Sequence, residues 1–269
     1  MIVNQVKAKL ARGEVVVGSF VFVPSATLTE IIGLIGFDFV VIDLEHGSGG
    51  YEEAEAMVRA AELSGSTPFV RVPHNSPHLI LRALDTGAAG VHVPDVSDVV
   101  GARSAVESVK YGPKGHRGLA NVRAARYGLQ GSLADYAKAA NDQTMVIVHI
   151  EEAKAIQNLN LLLEQEGVDV YYLGPVDLSN SLGIPGQTKD SRVKSLVDEA
   201  IQRIAEAGKI AGCIASDVAE AEHYVRLGAR YIASHAIRFM DRESKRFIQD
   251  LRRVEVPSPA VGTLPVRPL

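Results

Sequence analysis

The feature that most constrains the fold is a regular alternation of short apolar runs with longer amphipathic stretches. Eight of the runs have the length and the β-branched content of strands; they cover residues 15–22, 38–45, 68–73, 90–96, 145–151, 169–177, 210–215 and 231–237. The intervening stretches, such as YEEAEAMVRAAELSG and RVKSLVDEAIQRIAEAGK, place apolar residues at helical spacing. Strands and helices are therefore expected to alternate along the chain.

This alternation predicts an α/β fold. Eight strand–helix units in about 250 residues favour a (β/α)8 TIM barrel, although a doubly wound open sheet uses the same units. We expect an N-terminal helix before the first strand and a single catalytic barrel domain over residues 1–253. The last segment, 254–269, contains four prolines and no helical or strand period, which predicts an extended tail.

Composition excludes several classes of protein. The chain has 269 residues, of which 46% are hydrophobic, and its formal net charge is −4 with dispersed lysine and arginine. No basic stripe for nucleic acid is present, and no stretch reaches the roughly 18 apolar residues of a membrane helix. Charges interleaved with the first apolar residues argue against a signal peptide, and a single cysteine, Cys213, fits a reducing compartment. We expect a cytoplasmic protein that binds neither nucleic acid nor membrane.

Ionisable residues collect where the predicted strands end. In a TIM barrel the chemistry occurs at the carboxyl ends of the strands and in the loops that follow them. The residues at these positions are Asp43, Glu45, His46, Arg71, His92, Asp95, His149, Glu151 and Asp177. Burying so many charged groups in an apolar framework requires pairing or a metal ion.

Two of these acids are candidate metal ligands. Glu151 and Asp177 end neighbouring predicted strands, and their hard carboxylate oxygens suit Mg²⁺ or Mn²⁺. The alternative is that both acids accept hydrogen bonds at the starts of helices. Arg71 in VRVP could bind a substrate carboxylate, or it could form a structural salt bridge with Asp43 or Glu45.

Other residues in these segments also have two interpretations. His46 could be a general base, since imidazole titrates near neutrality, or it could be structural. His149 points the same way as Glu151, because side chains two residues apart share one strand face. Gly174 and Pro175 could let the backbone approach a ligand closely, or they could simply form a turn.

Six segments resemble, in order and spacing, the HpcH/HpaI family of metal-dependent 2-oxo acid aldolases, whose type member is 4-hydroxy-2-oxoheptanedioate aldolase. They are FDFVVIDLEHG, PFVRVP, LDTGAAGVHVPDV, YGPKGHRG, HIEEAKAIQNL and GVDVYYLGPVDLSNSLG. The resemblance implies that Glu151 and Asp177 bind a divalent ion (Mg²⁺, Mn²⁺ or Co²⁺) to which pyruvate coordinates. It also implies that Arg71 stabilises the developing enolate and that His46 takes part in proton transfer from the 4-hydroxyl group.

The resemblance carries further expectations for the site. Gly174, Pro175 and Val176 would contact the substrate together with Asp177 and Arg71. Asp43 and Glu45 could order waters bound to the cation. His149 occupies a position where relatives often carry glutamine, and it could be a third metal ligand or a hydrogen-bond donor to the other ligands. Asp85 would pair with His46; because it ends the helix before the fourth strand, at the opposite face of its own barrel, we expect it to act across a subunit interface in a homohexamer. The alternative for Asp85 is a helix cap before Gly87.

The expected reaction is therefore cleavage or formation of a 4-hydroxy-2-oxo acid, to or from pyruvate and an aldehyde, in the catabolism of aromatic or sugar acids. A citrate-type condensing enzyme or lyase of the same superfamily is the alternative, because the same enolate can attack an acceptor. A non-catalytic barrel that binds carboxylates is the alternative from a different class. A Schiff-base aldolase is disfavoured, because no predicted strand carries a lysine.

Overall fold

Eight parallel strands close into a barrel in the computed structural model, which describes residues 3–254. Each strand pairs with the next along the chain, and the eighth pairs with the first. The strands are β1 (Val16–Val21), β2 (Phe39–Asp43), β3 (Thr67–Arg71), β4 (Gly90–Val93), β5 (Met145–Ile150), β6 (Val170–Leu173), β7 (Ala211–Ile214) and β8 (Tyr231–His235). The predicted TIM barrel is confirmed.

Helices separate successive strands, and one helix precedes the barrel as predicted. They are α1 (Gln5–Ala11), α2 (Ala26–Ile35), α3 (Tyr51–Leu63), α4 (Pro77–Asp85), α5 (Val99–Val109), α6 (Leu133–Gln143), α7 (Ala153–Gln157), α8 (Leu159–Leu163), α9 (Pro175–Ser181), α10 (Ser191–Glu206), α11 (Val218–Leu227) and α12 (Ala236–Arg252). A 3₁₀ turn, Arg123–Gly128, lies between α5 and α6. No helix within residues 3–254 is long and apolar enough to cross a membrane.

The sixth strand is shorter than its apolar run suggests. It ends at Leu173, and α9 begins at Pro175, with Gly174 as its N-cap residue. Proline suits the first position of a helix, because its fixed φ is helical and its missing N–H group has no role there. Asp177 consequently lies in the first turn of α9 and not on a strand.

Apolar side chains form two cores on the two sides of the sheet. The inner core fills the barrel, where Phe39 stacks on Tyr231 with ring centroids 4.1 Å apart. Gly18 on β1 makes room for this pair, since a Cβ atom there would approach the Phe39 ring to 2.2 Å. Val6 and Leu10 of α1 belong to the same core, so the N-terminal helix packs against the interior of the barrel. The outer core lies between strands and helices and is rich in valine, isoleucine, leucine and alanine.

The chain divides into two compact units, one ending at Ala236 and the other beginning at Ile237. The first contains all eight strands. The second contains α12 beyond its first residue, and within that helix no residue is buried. The predicted tail lies outside the described residues except for Val254, so the predicted division into residues 1–253 and 254–269 remains a prediction.

Candidate active site at the carboxyl ends of the strands

A buried ion pair joins the ends of β2 and β3. The register of the two strands places Asp43 opposite Arg71. The guanidinium donates from Nε to Asp43 Oδ1 at 2.9 Å and from Nη2 to Oδ2, while its Nη1 lies 3.0 Å from Glu45 Oε2. The salt-bridge interpretation of Arg71 is therefore what the geometry shows. Because arginine has five N–H groups, at least one hydrogen on each terminal nitrogen remains for another acceptor.

Asp43 also fixes the turn after β2. Its Oδ1 atom accepts hydrogen bonds from the backbone N–H groups of Glu45 at 3.0 Å and His46 at 3.2 Å. Burial alone would raise the pKa of Asp43, but the hydrogen bonds and charge of Arg71, together with the two backbone N–H groups, hold it below its ordinary value. The sharp turn leaves the side chain of His46 exposed to solvent.

Glu151, directly after β5, is 4% exposed and has protein partners for both oxygens. Oε1 accepts from the backbone N–H of Asp95 at 2.9 Å, and Oε2 lies 3.2 Å from His149 Nδ1. Asp95 has a φ of 56°, a left-handed conformation that is strained for this residue type and that aims its N–H group at the carboxylate. Burial favours the neutral acid, but His149, the Asp95 N–H group and the charge of Arg71 keep the pKa of Glu151 lowered.

Asp177 and Gly174 approach Glu151 from the beginning of α9. A Cβ atom on Gly174 would lie 2.6 Å from Glu151 Oε2, so this position needs glycine. The close approach expected at Gly174 is therefore an approach to Glu151 itself. Burial of its carboxyl group, followed by the negative charge of Glu151, raises the pKa of Asp177. Two acids that oppose each other's ionisation are thus held at one end of the barrel.

Glu45 is the most perturbed acid of the group. Burial raises its pKa to about 7, with further contributions from Glu151, Asp43 and Asp95, although Arg71 acts in the opposite direction. Within residues 3–254, its Oε2 atom is buried and accepts no hydrogen bond of good geometry. The site therefore concentrates more negative charge than Arg71 alone offsets.

Asp85 lies outside this site, at the opposite face of the barrel. It ends α4, at the face of the barrel where the strands begin, whereas His46 follows β2 at the other face. Its Oδ1 atom accepts from Arg117 Nη2 at 2.9 Å. The side chain thus forms a salt bridge, and the cap at Gly87 is made by the backbone, whose N–H group bonds to Leu84 O.

Sequence reasoning did not assign roles to three residues that contact the site. The backbone N–H group of Asp95 donates to Glu151. Inside the barrel, His149 Nε2 lies 3.0 Å from His92 Nδ1. The other ring nitrogen of His92, Nε2, lies 2.9 Å from the Tyr231 hydroxyl. Strand-end position pointed to Asp95 and His92, but Tyr231 begins its strand and carried no signal. Both ring nitrogens of His149 are engaged by protein groups, so in this arrangement it is a hydrogen-bonding partner of Glu151 and not a third metal ligand.

Comparison with known proteins places this site in a family. The family model described as HpcH/HpaI aldolase/citrate lyase matches residues 17–236. The chain is 35% identical over 232 residues to the 4-hydroxy-2-oxo-heptane-1,7-dioate aldolase of Shigella sonnei, covering 86% of this chain and 87% of that one. It is 34% identical over 232 residues to the 2-keto-3-deoxy-L-rhamnonate aldolase of Klebsiella pneumoniae, covering 86% of each.

A solved structure agrees with these sequence matches. The crystal structure of the citrate synthase SbnG superposes with a TM-score of 0.82 at 30% identity, covering 91% of this chain and 96% of that one. The curated relatives are named aldolases, which supports assignment to the carbon–carbon lyases. The strand-end site, the barrel and the match over residues 17–236 lead to one assignment: the chain belongs to the HpcH/HpaI aldolase/citrate lyase family.

Proposed function

We propose that the protein is a divalent-metal-dependent aldolase that cleaves 4-hydroxy-2-oxo acids to pyruvate, or a close 2-oxo acid, and an aldehyde. The observation that carries the proposal is the convergence of Glu151, Asp177 and Arg71 at the carboxyl ends of the strands, beside the exposed His46. The names of the relatives support this reaction class.

The acids suit a hard divalent cation. Glu151 and Asp177 would hold it, since each offers carboxylate oxygens and the two charges oppose each other when no cation is bound. Within residues 3–254 no group of three or more histidine, cysteine or acidic side chains forms a metal cluster, so water and substrate would complete the coordination, as Mg²⁺, Mn²⁺ and Co²⁺ permit. The cation would supply Lewis-acid polarisation of the 2-oxo group.

The protein groups would perform the remaining steps. Cleavage breaks the C3–C4 bond: the 4-hydroxyl proton leaves, the aldehyde forms, and the bonding electron pair becomes the enolate of the 2-oxo acid. Transfer of a proton to C3 of the enolate then gives the 2-oxo acid. His46 would accept the hydroxyl proton, directly or through a water held by Glu45 or Asp43. Arg71 would donate its free N–H groups to the developing enolate oxygen, and the ion pair with Asp43 would hold that charge in position. Gly174, Pro175 and Val176 would contact the bound 2-oxo acid beside Asp177.

We further propose that the active site is completed in a homo-oligomer, expected to be a hexamer, in which Asp85 of one subunit approaches His46 of another. Asp85 cannot readily reach His46 in its own barrel because the two residues are at opposite faces. Each compact unit also exposes apolar side chains suited to subunit contacts. In the barrel unit these are Val17, Ile31, Leu34 and Ile35; in α12 they are Met240, Phe247, Ile248 and Leu251.

Pyruvate release tests the proposal. A panel of 4-hydroxy-2-oxo acids that includes dicarboxylic and sugar-derived acceptors is assayed after EDTA treatment and again with Mg²⁺, Mn²⁺ or Co²⁺ restored. Asp177→Ala should abolish the restored activity, whereas Asp142→Ala, at an exposed acid outside the site, should not. The metal that restores most activity and the substrate cleaved fastest would define the cofactor and the acceptor.

The citrate-type condensing reaction is the second candidate, favoured by the similarity to the citrate synthase SbnG. It requires an enolate formed on an activated acyl donor, whose α-carbon would attack the carbonyl carbon of a 2-oxo acid. Absence of pyruvate release with every metal, combined with product formation from a 2-oxo acid and an activated acyl donor, would favour condensation. Metal binding without turnover in either assay would favour a non-catalytic carboxylate-binding barrel.

A further inference from the structure

A chain of polar side chains lies in the otherwise apolar interior of the barrel and ends at Glu151. Tyr231 and His92 are fully buried, and His149 is 2% exposed. The distances are 2.9 Å from the Tyr231 hydroxyl to His92 Nε2, 3.0 Å from His92 Nδ1 to His149 Nε2, and 3.2 Å from His149 Nδ1 to Glu151 Oε2. The proposed reaction uses none of the first three residues directly.

The chemistry of the terminal groups sets the direction of the chain. An ionised carboxylate only accepts hydrogen bonds, so Glu151 requires a proton on His149 Nδ1. In the tautomer with that proton on Nδ1, His149 Nε2 is an acceptor, which requires a proton on His92 Nδ1 and leaves His92 Nε2 to accept from the Tyr231 hydroxyl. Burial and the neighbouring His149 lower the pKa of His92, consistent with a neutral ring. In this arrangement every member has a partner, and every donor points toward Glu151.

We propose that Tyr231, His92 and His149 are positioning residues that orient the Glu151 carboxylate for the divalent cation. The inference rests on the metal-binding role of Glu151 in the proposed function. The His149 N–H group holds Oε2 from one side and the backbone of Asp95 holds Oε1 from the other, so the carboxylate plane is fixed before a cation arrives. Partners of metal ligands commonly change metal affinity by about 10–100-fold when they are removed.

We call the hydrogen-bonded chain Tyr231–His92–His149 the relay. Two measurements test it: Mn²⁺ binding by calorimetry and the histidine ¹⁵N spectrum of the metal-free protein. His149→Leu should weaken Mn²⁺ binding by about 10-fold or more. His149→Gln should restore most of it, because an amide can donate to Glu151 and accept from His92. Tyr231→Phe should weaken binding by a smaller factor, while Tyr224→Phe, which removes a tyrosine hydroxyl bonded to Glu220 outside the barrel interior, should leave it unchanged. Wild-type His92 and His149 should each show a protonated Nδ1 and an unprotonated Nε2.

Each contrary result has a distinct meaning. Unchanged Mn²⁺ affinity in His149→Leu, or a protonated Nε2 in wild-type His149, would overturn the relay while leaving the metal site intact. Failure of the wild-type protein to bind Mn²⁺ would overturn the proposed metal site and the relay's role with it. Since Tyr231→Phe and His149→Gln conserve shape, thermal unfolding of these two variants separates loss of binding from loss of folding.

Discussion

Replacing Glu45 by glutamine should stabilise the metal-free protein at high pH. Folding raises the pKa of this carboxyl from an ordinary 4.5 to about 7, first through burial and then through Glu151, Asp43 and Asp95. A group that binds its proton more tightly in the folded state destabilises that state as the pH rises between these two values. Since a tenfold change in proton affinity corresponds to about 1.4 kcal/mol, the penalty above pH 7 is about 3 kcal/mol.

Thermal or urea unfolding in EDTA at pH 5 and pH 8 measures the effect. The free energy of unfolding of Glu45→Gln should exceed that of the wild type by most of the roughly 3 kcal/mol at pH 8. The difference should be much smaller at pH 5, where wild-type Glu45 is largely protonated when folded. Saturating Mg²⁺ should shrink the gain, because a cation offsets the same negative charge. Glu206→Gln, at an exposed acid at the end of α10, removes the same formal charge and serves as the control. An equal gain at both pH values, or none at pH 8, would refute the reasoning.

Three further experiments, with four substitutions, test other parts of the site. Arg71→Lys keeps the charge but loses the bidentate hydrogen bonding to Asp43, so kcat for pyruvate release should fall about 10²-fold or more. A variant with unchanged kcat would remove Arg71 from the mechanism. Gly174→Ala should displace Glu151 and weaken Mn²⁺ binding about tenfold by calorimetry, and unchanged affinity would contradict the need for glycine. Asp85→Ala and His46→Ala should each be inactive alone, and co-refolded mixtures should regain part of the activity; no regain would contradict a site shared between subunits.

The sequence predicted much of this fold because the relevant signals are local. Apolar runs of strand length, separated by amphipathic stretches, identified eight strands, and their carboxyl ends correctly located Asp43, Glu45, Arg71 and Glu151 at one end of the barrel. The largest discrepancy was at the end of β6. An apolar run does not show where the hydrogen bonding between neighbouring strands stops. Strand β6 ended at Leu173, four residues earlier than predicted, because α9 begins at Pro175.

The partners of these residues depend on contacts between segments far apart in sequence. Whether Arg71 faced a ligand or Asp43 depended on the register of β2 and β3, which hydrophobic periodicity does not specify. The chain from Tyr231 through His92 to His149 exists only because the closed barrel brings β4, β5 and β8 around one interior. The sequence by itself therefore determined the elements and the end of the barrel that carries the chemistry, since both follow from local pattern. Only the tertiary structure decided which groups are paired, because closure and register bring together residues such as His92 and Tyr231, which are 139 positions apart.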